Sequence, residues 1–369
     1  MVSGTAAKLV LMPEHRAGPR ARDLRQRSGM TPERGTHIDG SAASPITATD
    51  QERWMRHAGA MHPQTVADAF GLGRANSLSD PVARGELGEI RRLETDHGTF
   101  AVKQELGSWS VDGAETSTAY HRVCWEAGIP TPEPLRAMTG GYTAQVDGER
   151  VRTYAWAELA DPDPTLDPAA VGTLLSRLHQ VRHPWPTSEI DPWFEAPIGR
   201  AEWKGVLKAS RAAGAPYAAR LAELLPALLE IEEILTPMRP VQTCHLDLWA
   251  DNLRRSDGRP FVIDFDNAGP GDPSREIAMV TFEFGRGDAV RQRTLYDAYL
   301  AAGGPGRARD RADLGLAIAQ LHHIGHRHLT MWVAARDPEA RARSLAGIDE
   351  FLGEPLLLPN VDALLEGLG

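Results

Sequence analysis

One segment constrains this chain more than any other. It is His245-Leu246-Asp247-Leu248-Trp249-Ala250-Asp251-Asn252, followed by Phe261-Val262-Ile263-Asp264-Phe265. The pattern is H-x-D-x-x-x-x-N, a short gap, then an apolar run ending in Asp twelve residues beyond Asn252. Asp247 is spaced to accept a proton from a hydroxyl nucleophile. Asn252 and Asp264 offer the hard oxygens that Mg²⁺ prefers. Trp249 and Leu253 can pin the loop so that both polar groups face one cavity, and His245 props it by hydrogen bonding. Moving a phosphoryl group from ATP asks a protein for positioning and charge stabilisation, and these groups supply both. A surface Asp/Asn loop beside an ordinary strand would explain either half of the pattern; the ordered pair points to chemistry.

Upstream of this segment the pattern is that of a small α+β unit. Residues 63–72 form a short helix. Gly85 and Gly88 lie in a turn before a hairpin in which Ile90, Leu93, Phe100 and Val102 are β formers and Asp96-His97-Gly98 makes the turn. A helix over 113–127 follows, with Tyr120, Val123 and Cys124 on one face; Gly128 stops it and Pro130 and Pro132 prevent its return. Residues 134–146 and 151–157 read as two more strands. Lys103, on an inward strand position, is a candidate for ATP phosphates. A buried ammonium needs a counter-charge, for which Glu115 is the first choice and Glu126 the second. Gly85 and Gly88 would let the backbone approach phosphates, although no Walker motif occurs in the chain.

The remainder is mostly helical. Asp167-Pro168 opens a helix with its N-cap and first-turn proline in favoured places, and helical periodicity returns at 217–235 and 310–335. Residues 241–265 form a loop-and-strand insert. His322, His323, His326 and His328 crowd one helix; with no H-E-x-x-H they read as a polar helix face rather than a metal site. Tryptophans 185, 193, 203 and 249 read as packing residues, with sugar stacking as the alternative.

Bulk properties narrow the partners. With 40 Lys and Arg against 50 Asp and Glu the net charge is −10, which disfavours nucleic acid and suits a cationic small molecule. Two cysteines, Cys124 and Cys244, are too few for a disulfide framework, and a reducing, cytoplasmic location fits. Cys244 reads as a small apolar residue ending a strand. No apolar run is long enough to span a membrane. Residues 1–54, rich in Gly, Ser, Pro and Arg, read as a disordered tail, residues 55–155 as one lobe and 156–369 as a second; the assembly expected is a monomer or homodimer.

Taken together these residues resemble the aminoglycoside phosphotransferase family, whose pattern is H-G-D-x-x-x-x-N, an apolar strand into I-D-W/F, then G-D-P-x-x-D-L-A. Here it stands as His245-Leu-Asp247-x₄-Asn252, Ile263-Asp264-Phe265 and Gly271-Asp272-Pro273-Ser-Arg-Glu276-Ile-Ala278. Leu246 replaces the usual small residue and Glu276 the usual Asp. Leu178-His179 and Gly128-Ile-Pro-Thr-Pro132 resemble two further family motifs. The resemblance implies a two-lobed protein-kinase-like fold with ATP and Mg²⁺ as cofactors. It implies Asp247 as catalytic base, Asn252 and Asp264 as Mg²⁺ ligands, and Lys103 with Glu115 as the phosphate-clamping pair. It also implies a hinge at Tyr154–Ala157, where Ala155 and Ala157 would meet adenine. With no D-F-G or A-P-E, a small-molecule kinase is expected rather than a protein kinase. The acceptor expected is a small hydroxylated molecule, an aminoglycoside or amino sugar in the first instance. A choline- or homoserine-type acceptor and a non-catalytic nucleotide-binding scaffold are the alternatives. Asp191, Glu195, Asp266 and Glu283 are the acids available for a cationic group.

Overall fold

Alternation along the hairpin dictates the first half of the architecture. The computed structural model describes residues 61–84, 88–106 and 111–369. Strand β3 (Gly88–Thr95) and strand β4 (Gly98–Glu105) pair antiparallel around the Asp96–His97 turn. Strand β6 (Glu149–Ala155) pairs with the other edge of β4, and β5 (Thr143–Val146) with β6. Strands β1 (Ala75–Leu78) and β2 (Ala83–Arg84) both pair with β3, giving the order β1-β3-β4-β6-β5 with β2 beside β3.

Successive residues on a strand face opposite ways. Val102 and Val151 therefore join Leu93, Val146 and the helix α1 (Pro63–Phe70) residues Val66 and Phe70 in one apolar cluster. Lys103 and Arg152 leave the sheet on the other face, toward the helical half of the chain. The strand expected over 134–146 is shorter than the sequence suggests. Thr139-Gly140-Gly141 breaks it and a turn joins Ala137 to Gly141, leaving a single antiparallel bridge from Pro134 to Tyr154 and the strand Thr143–Val146. Gly85 and the segment 1–54 lie outside the described residues.

Helix α2 (Val111–Glu126) follows β4 and ends at Gly128, whose φ of 77° is left-handed and suits a residue without Cβ. The helical half then builds on α3 (Pro168–Gln180), with Asp167 accepting from Ala170 N as its N-cap. Helices α4 (Arg200–Ala212), α5 (Ala218–Glu232), α6 (Pro273–Gly285), α7 (Ala289–Ala301), α8 (Gly315–Ala334), α9 (Pro338–Gly353) and α10 (Leu358–Leu368) complete it. One core gathers α3, α6, α7 and the start of α8; another gathers Trp203, Leu221, Leu228, Leu329 and Ile348 from α4, α5, α8 and α9. No helix among the described residues is long and apolar enough to cross a membrane.

Between these helices lies the insert. Strand β7 (Gln242–Cys244) pairs with β10 (Gly269–Gly271), and β8 (Leu253–Ser256) with β9 (Arg259–Val262). The β8–β9 turn places Asp257 and Gly258 at φ 48° and 75°, the left-handed pair that Asp-Gly favours in tight hairpins. Leu246 also has a positive φ, 65°, which a side chain with Cβ adopts at a cost of about 1–2 kcal/mol. Burial repays this: Leu246 is inside the core and lies against Gly271, where an added Cβ would come within 2.7 Å of it. Leu246→Gly should relieve the strain but empty that space. The expected net loss is about 1–3 kcal/mol, less than a strain-free buried leucine would cost, checked by urea denaturation.

Candidate active site

The apolar loop residues place the polar ones. Leu246, Leu248 and Ala250 are buried in the helical core, so Asp247 and Asn252 project from its edge. Ile263 N donates to Asn252 O at 2.9 Å, tying the end of the loop to the end of β9 and setting Asn252 beside Asp264. Asn252 Nδ2 donates to Asp247 Oδ2 at 2.8 Å, and Asn267 Nδ2 donates to the same oxygen at 2.9 Å. No described residue donates to Asp247 Oδ1, which leaves that oxygen for a ligand. Burial pushes the Asp247 carboxyl up to about 7; the Asn267 bond opposes this and the neighbouring charges of Asp264 and Asp251 add to it.

With both amide nitrogens turned to Asp247, the amide oxygens of Asn252 and Asn267 are left buried and accept no hydrogen bond from a described residue. Buried acceptors are rarely unsatisfied. Asn252 Oδ1 together with the Asp264 carboxylate therefore fits a small oxygen-seeking cation such as Mg²⁺. Asp264 sits in the left-handed region at φ 59° and opens a 3₁₀ turn, Phe265–Asn267.

Lys103 reaches this acidic group from β4. Its Nζ is 3.0 Å from Asp264 Oδ1 and 2.8 Å from Asp266 Oδ2. Burial would lower its basicity, but Asp264 and Asp266 outweigh that and hold it protonated. Burial likewise acts against the Asp266 charge, and Arg152 and Lys103 overcome it, keeping that carboxyl well below the usual range. For Asp264 burial prevails over Lys103 and the carboxyl is raised. Asp264 shares Lys103 with Asp266, whereas Asp266 also has Arg152, so Asp264 is the less fully neutralised of the two carboxylates.

Glu115 is not the partner of Lys103. Its carboxylate accepts from Tyr142 N and Thr143 N, at 2.8 and 2.7 Å, and from Thr143 Oγ1. Its place one turn into α2 leaves it over the start of β5, where strand-end N–H groups need acceptors. Glu126 pairs with Arg122 instead. Gly88 lies on β3 opposite Glu105, and an added Cβ there would meet Gln104 O at 2.7 Å and the Lys103 side chain. Ala155 N donates to Glu133 O and Trp156 N to Thr99 O, so Ala155's donor is committed and Ala157 follows in irregular backbone. The four acids expected to meet a cationic ligand are engaged within the chain. Asp191 caps Trp193 N, Glu195 accepts from Met238 N, Asp266 is ion-paired, and Glu283 accepts from Ala250 N.

Several site-forming residues escaped the sequence reading. Asn267 closes the run Asp264-Phe265-Asp266-Asn267, whose polar residues after an apolar strand were the available signal, and Asp266, expected as an acid for a cationic ligand, instead pairs with Lys103 and Arg152. Arg152 carried none. Gln320 on α8 donates to Leu246 O at 2.6 Å and accepts from Trp249 Nε1 at 2.8 Å, bracing the loop from behind. His179, Cys244 and Glu276 place ligand-type atoms within 4.8 Å of one another. Both Glu276 oxygens are already taken, by His179 and Leu246 N, and burial keeps the Cys244 thiol protonated. The trio is a polar brace. The α8 histidines behave as a helix face: His322 binds Glu232 and His323 binds Ala196 O.

The family model described as "phosphotransferase enzyme family" matches residues 81–314. The chain belongs to this family. Its members transfer a phosphoryl group to the hydroxyl of a small molecule. No curated protein matches the sequence. Among solved structures, the spectinomycin phosphotransferase APH(9)-Ia, in complex with ADP and spectinomycin, is similar at 11% identity and TM-score 0.56, over 82% of this chain and 98% of that one. An aminoglycoside phosphotransferase of Alicyclobacillus acidocaldarius is similar at 15% identity and TM-score 0.56, over 85% and 97%. Amicoumacin kinase, in complex with AMP-PNP, Ca²⁺ and amicoumacin, is similar at 14% identity and TM-score 0.51, over 83% and 96%. These likenesses carry the two-lobed kinase-like fold.

Proposed function

We propose that this phosphotransferase is an ATP- and Mg²⁺-dependent O-kinase of a small hydroxylated molecule, with amino sugars and aminoglycosides as the first acceptors to test. The observation that carries the reading is Asp247: a buried carboxylate with one oxygen fixed by two amides and the other open, beside metal-type oxygens and a buried lysine. The acceptor class is suggested by neighbours crystallised with spectinomycin and amicoumacin.

In this reading Asp247 Oδ1 orients the acceptor hydroxyl and takes its proton as the oxygen attacks the γ-phosphorus. The bond from that phosphorus to the β–γ bridging oxygen breaks, and ADP leaves. Lys103 Nζ turns from Asp264 to the phosphate oxygens. Gly88 lets β3 lie close over Lys103, and the backbone at Ala157 meets the adenine. Asn252 Oδ1 and Asp264 would hold Mg²⁺, which supplies charge neutralisation for the phosphates.

ATP·Mg should raise the melting temperature. A ligand at one hundred times its dissociation constant adds about 2.7 kcal/mol of stability. ADP release across spectinomycin, other aminoglycosides, choline, ethanolamine and homoserine should then depend on one acceptor class. A melting shift with no ADP release on any acceptor would instead favour the non-catalytic nucleotide-binding scaffold, and no shift at millimolar ATP·Mg would overturn both.

A further inference from the structure

Lys103 and Arg152 are directly opposed residues on the antiparallel strands β4 and β6. Like charges so placed repel, and both are buried. A buried cation without a counter-charge is very costly, so this pair needs an acid between its members. Asp266 is that acid. Its Oδ2 lies 2.8 Å from Lys103 Nζ, and it takes the Arg152 guanidinium through two bonds of 2.7 and 2.9 Å. Glu105 adds a charge contact of 3.0 Å to Arg152 Nε. Helix α2 offers this pair no described carboxylate: Asp112 is exposed, Glu115 is bound to β5 and Glu126 to Arg122. Among its described residues the helix gives the pair Thr118 Oγ1, 3.4 Å from Arg152 Nη1.

We infer that Asp266 anchors Lys103 for phosphate binding, in the role a helix glutamate was expected to fill, and that Arg152 is the residue that positions Asp266. The inference rests on the proposed kinase reading of the site. Its logic is a division of labour between neighbouring acids. Asp264 bonds Lys103 with both oxygens, at 3.0 and 3.1 Å, and is free to leave it for a metal. Asp266 stays, because two further bonds to Arg152 hold it. Helix α2 steadies the same segment without charge: Phe265 stacks on His121 at 4.1 Å between ring centres and meets Tyr120 edge-on at 5.8 Å. The lysine's anchor and the metal-type carboxylate are therefore carried by one short turn of the helical half, and they are set together.

The test compares Asp266→Asn, Glu115→Gln and the double variant Asp266→Asn/Arg152→Gln, each as the full chain, by ATP·Mg titration calorimetry and by melting temperature. Asp266→Asn should weaken ATP·Mg binding by about tenfold or more, the usual scale for losing a charge-assisted partner. Glu115→Gln should stay within about threefold, since its carboxylate serves strand-end N–H groups. The double variant, in which the Arg152 cation left unbalanced by Asp266→Asn is also removed while Lys103 keeps Asp264, should regain most of the melting temperature lost by Asp266→Asn and yet keep the weak binding. Recovery of full ATP·Mg affinity in the double variant would mean that Asp266 only neutralises Arg152, and would overturn the anchoring role. So would a Glu115→Gln loss of about tenfold or more; this arm stands even if Asp266→Asn fails to fold. An unaltered chain that gives no ATP·Mg binding overturns the kinase reading itself, and the anchoring with it.

Discussion

Asp247→Asn should lower turnover by about 10²–10⁴-fold, the usual contribution of a positioned proton acceptor, while leaving the chain folded and, at pH 8, more stable than before. The first half follows from the open Oδ1: an amide there neither takes a proton nor carries the charge that orients a hydroxyl. The second half follows from linkage. Burial raises the Asp247 carboxyl to about 7, above the value of an unfolded carboxylate. Between about pH 4 and 7 the folded chain therefore holds more protons at this site than the unfolded chain, and stability falls as pH rises through that window. Above it the whole penalty is present, on the order of a few kcal/mol. Asn267 and Asn252 can still donate to an amide oxygen, so the substitution removes the charge and keeps the bonds. Urea midpoints at pH 5 and pH 8 should differ by less in Asp247→Asn than in the unaltered chain. In the unaltered chain kcat/KM should rise as pH rises through about 7, because the group must be unprotonated to act. Equal urea midpoint differences in the two proteins would show that Asp247 carries no such penalty, and wild-type turnover in the variant would remove it from the chemistry.

The parts of this site that the sequence made legible are those written in local pattern. Asp247 and Asn252 sit five apart between buried leucines, and the apolar strand ahead of Asp264 announces its own end, so spacing alone brings them to one place. The hairpin around Asp96–His97 and the helix closed by Gly128 were legible for the same reason: short-range turn and capping chemistry determines them. The pairing of Lys103 was not. Which acid meets a strand lysine depends on the register of β4 against β6 and on how the Phe265–Asn267 turn docks beneath the sheet, 161 residues away along the chain in the case of Asp264. Glu115 was the reasonable choice by proximity in sequence, yet one helical turn decided that it would serve β5 instead. Arg152 had no signal at all, because a charged residue within a strand is ordinarily solvated. Its burial becomes understandable only once Asp266 is seen to lie between it and Lys103.

Glu276→Ala should cost about 2–5 kcal/mol, the scale for leaving two buried N–H donors without their acceptor, and should lower turnover as well. Glu276 is fully buried and serves two masters: Oε2 meets His179 Nε2 at 2.7 Å, and Oε1 accepts from Leu246 N, the residue before Asp247. The bonding order follows from the carboxylate, which can only accept. Gly306 N donates to the Tyr299 hydroxyl at 2.8 Å, and that hydroxyl, still with a proton to give, meets His179 Nδ1 at 2.7 Å, while the Glu276 carboxylate can only accept at Nε2. His179 then carries its proton on Nε2 and gives it to Glu276. Burial would raise the Glu276 carboxyl, but His179 outweighs it and holds the group below its ordinary value. This contribution is therefore present at neutral pH and is lost as pH falls through the lowered value. Truncation leaves an imidazole N–H and the Leu246 N–H without acceptors in the core, and the left-handed backbone at Leu246 loses the bond that helps hold its strain. Glu276→Asp restores the charge one methylene short, so it should recover one of the two bonds and an intermediate stability. Denaturation midpoints and turnover for the Ala and Asp variants, measured well below the melting temperature of each, separate the two roles. If turnover per folded molecule is unchanged in Glu276→Ala, the brace stabilises the core without setting the position of Asp247.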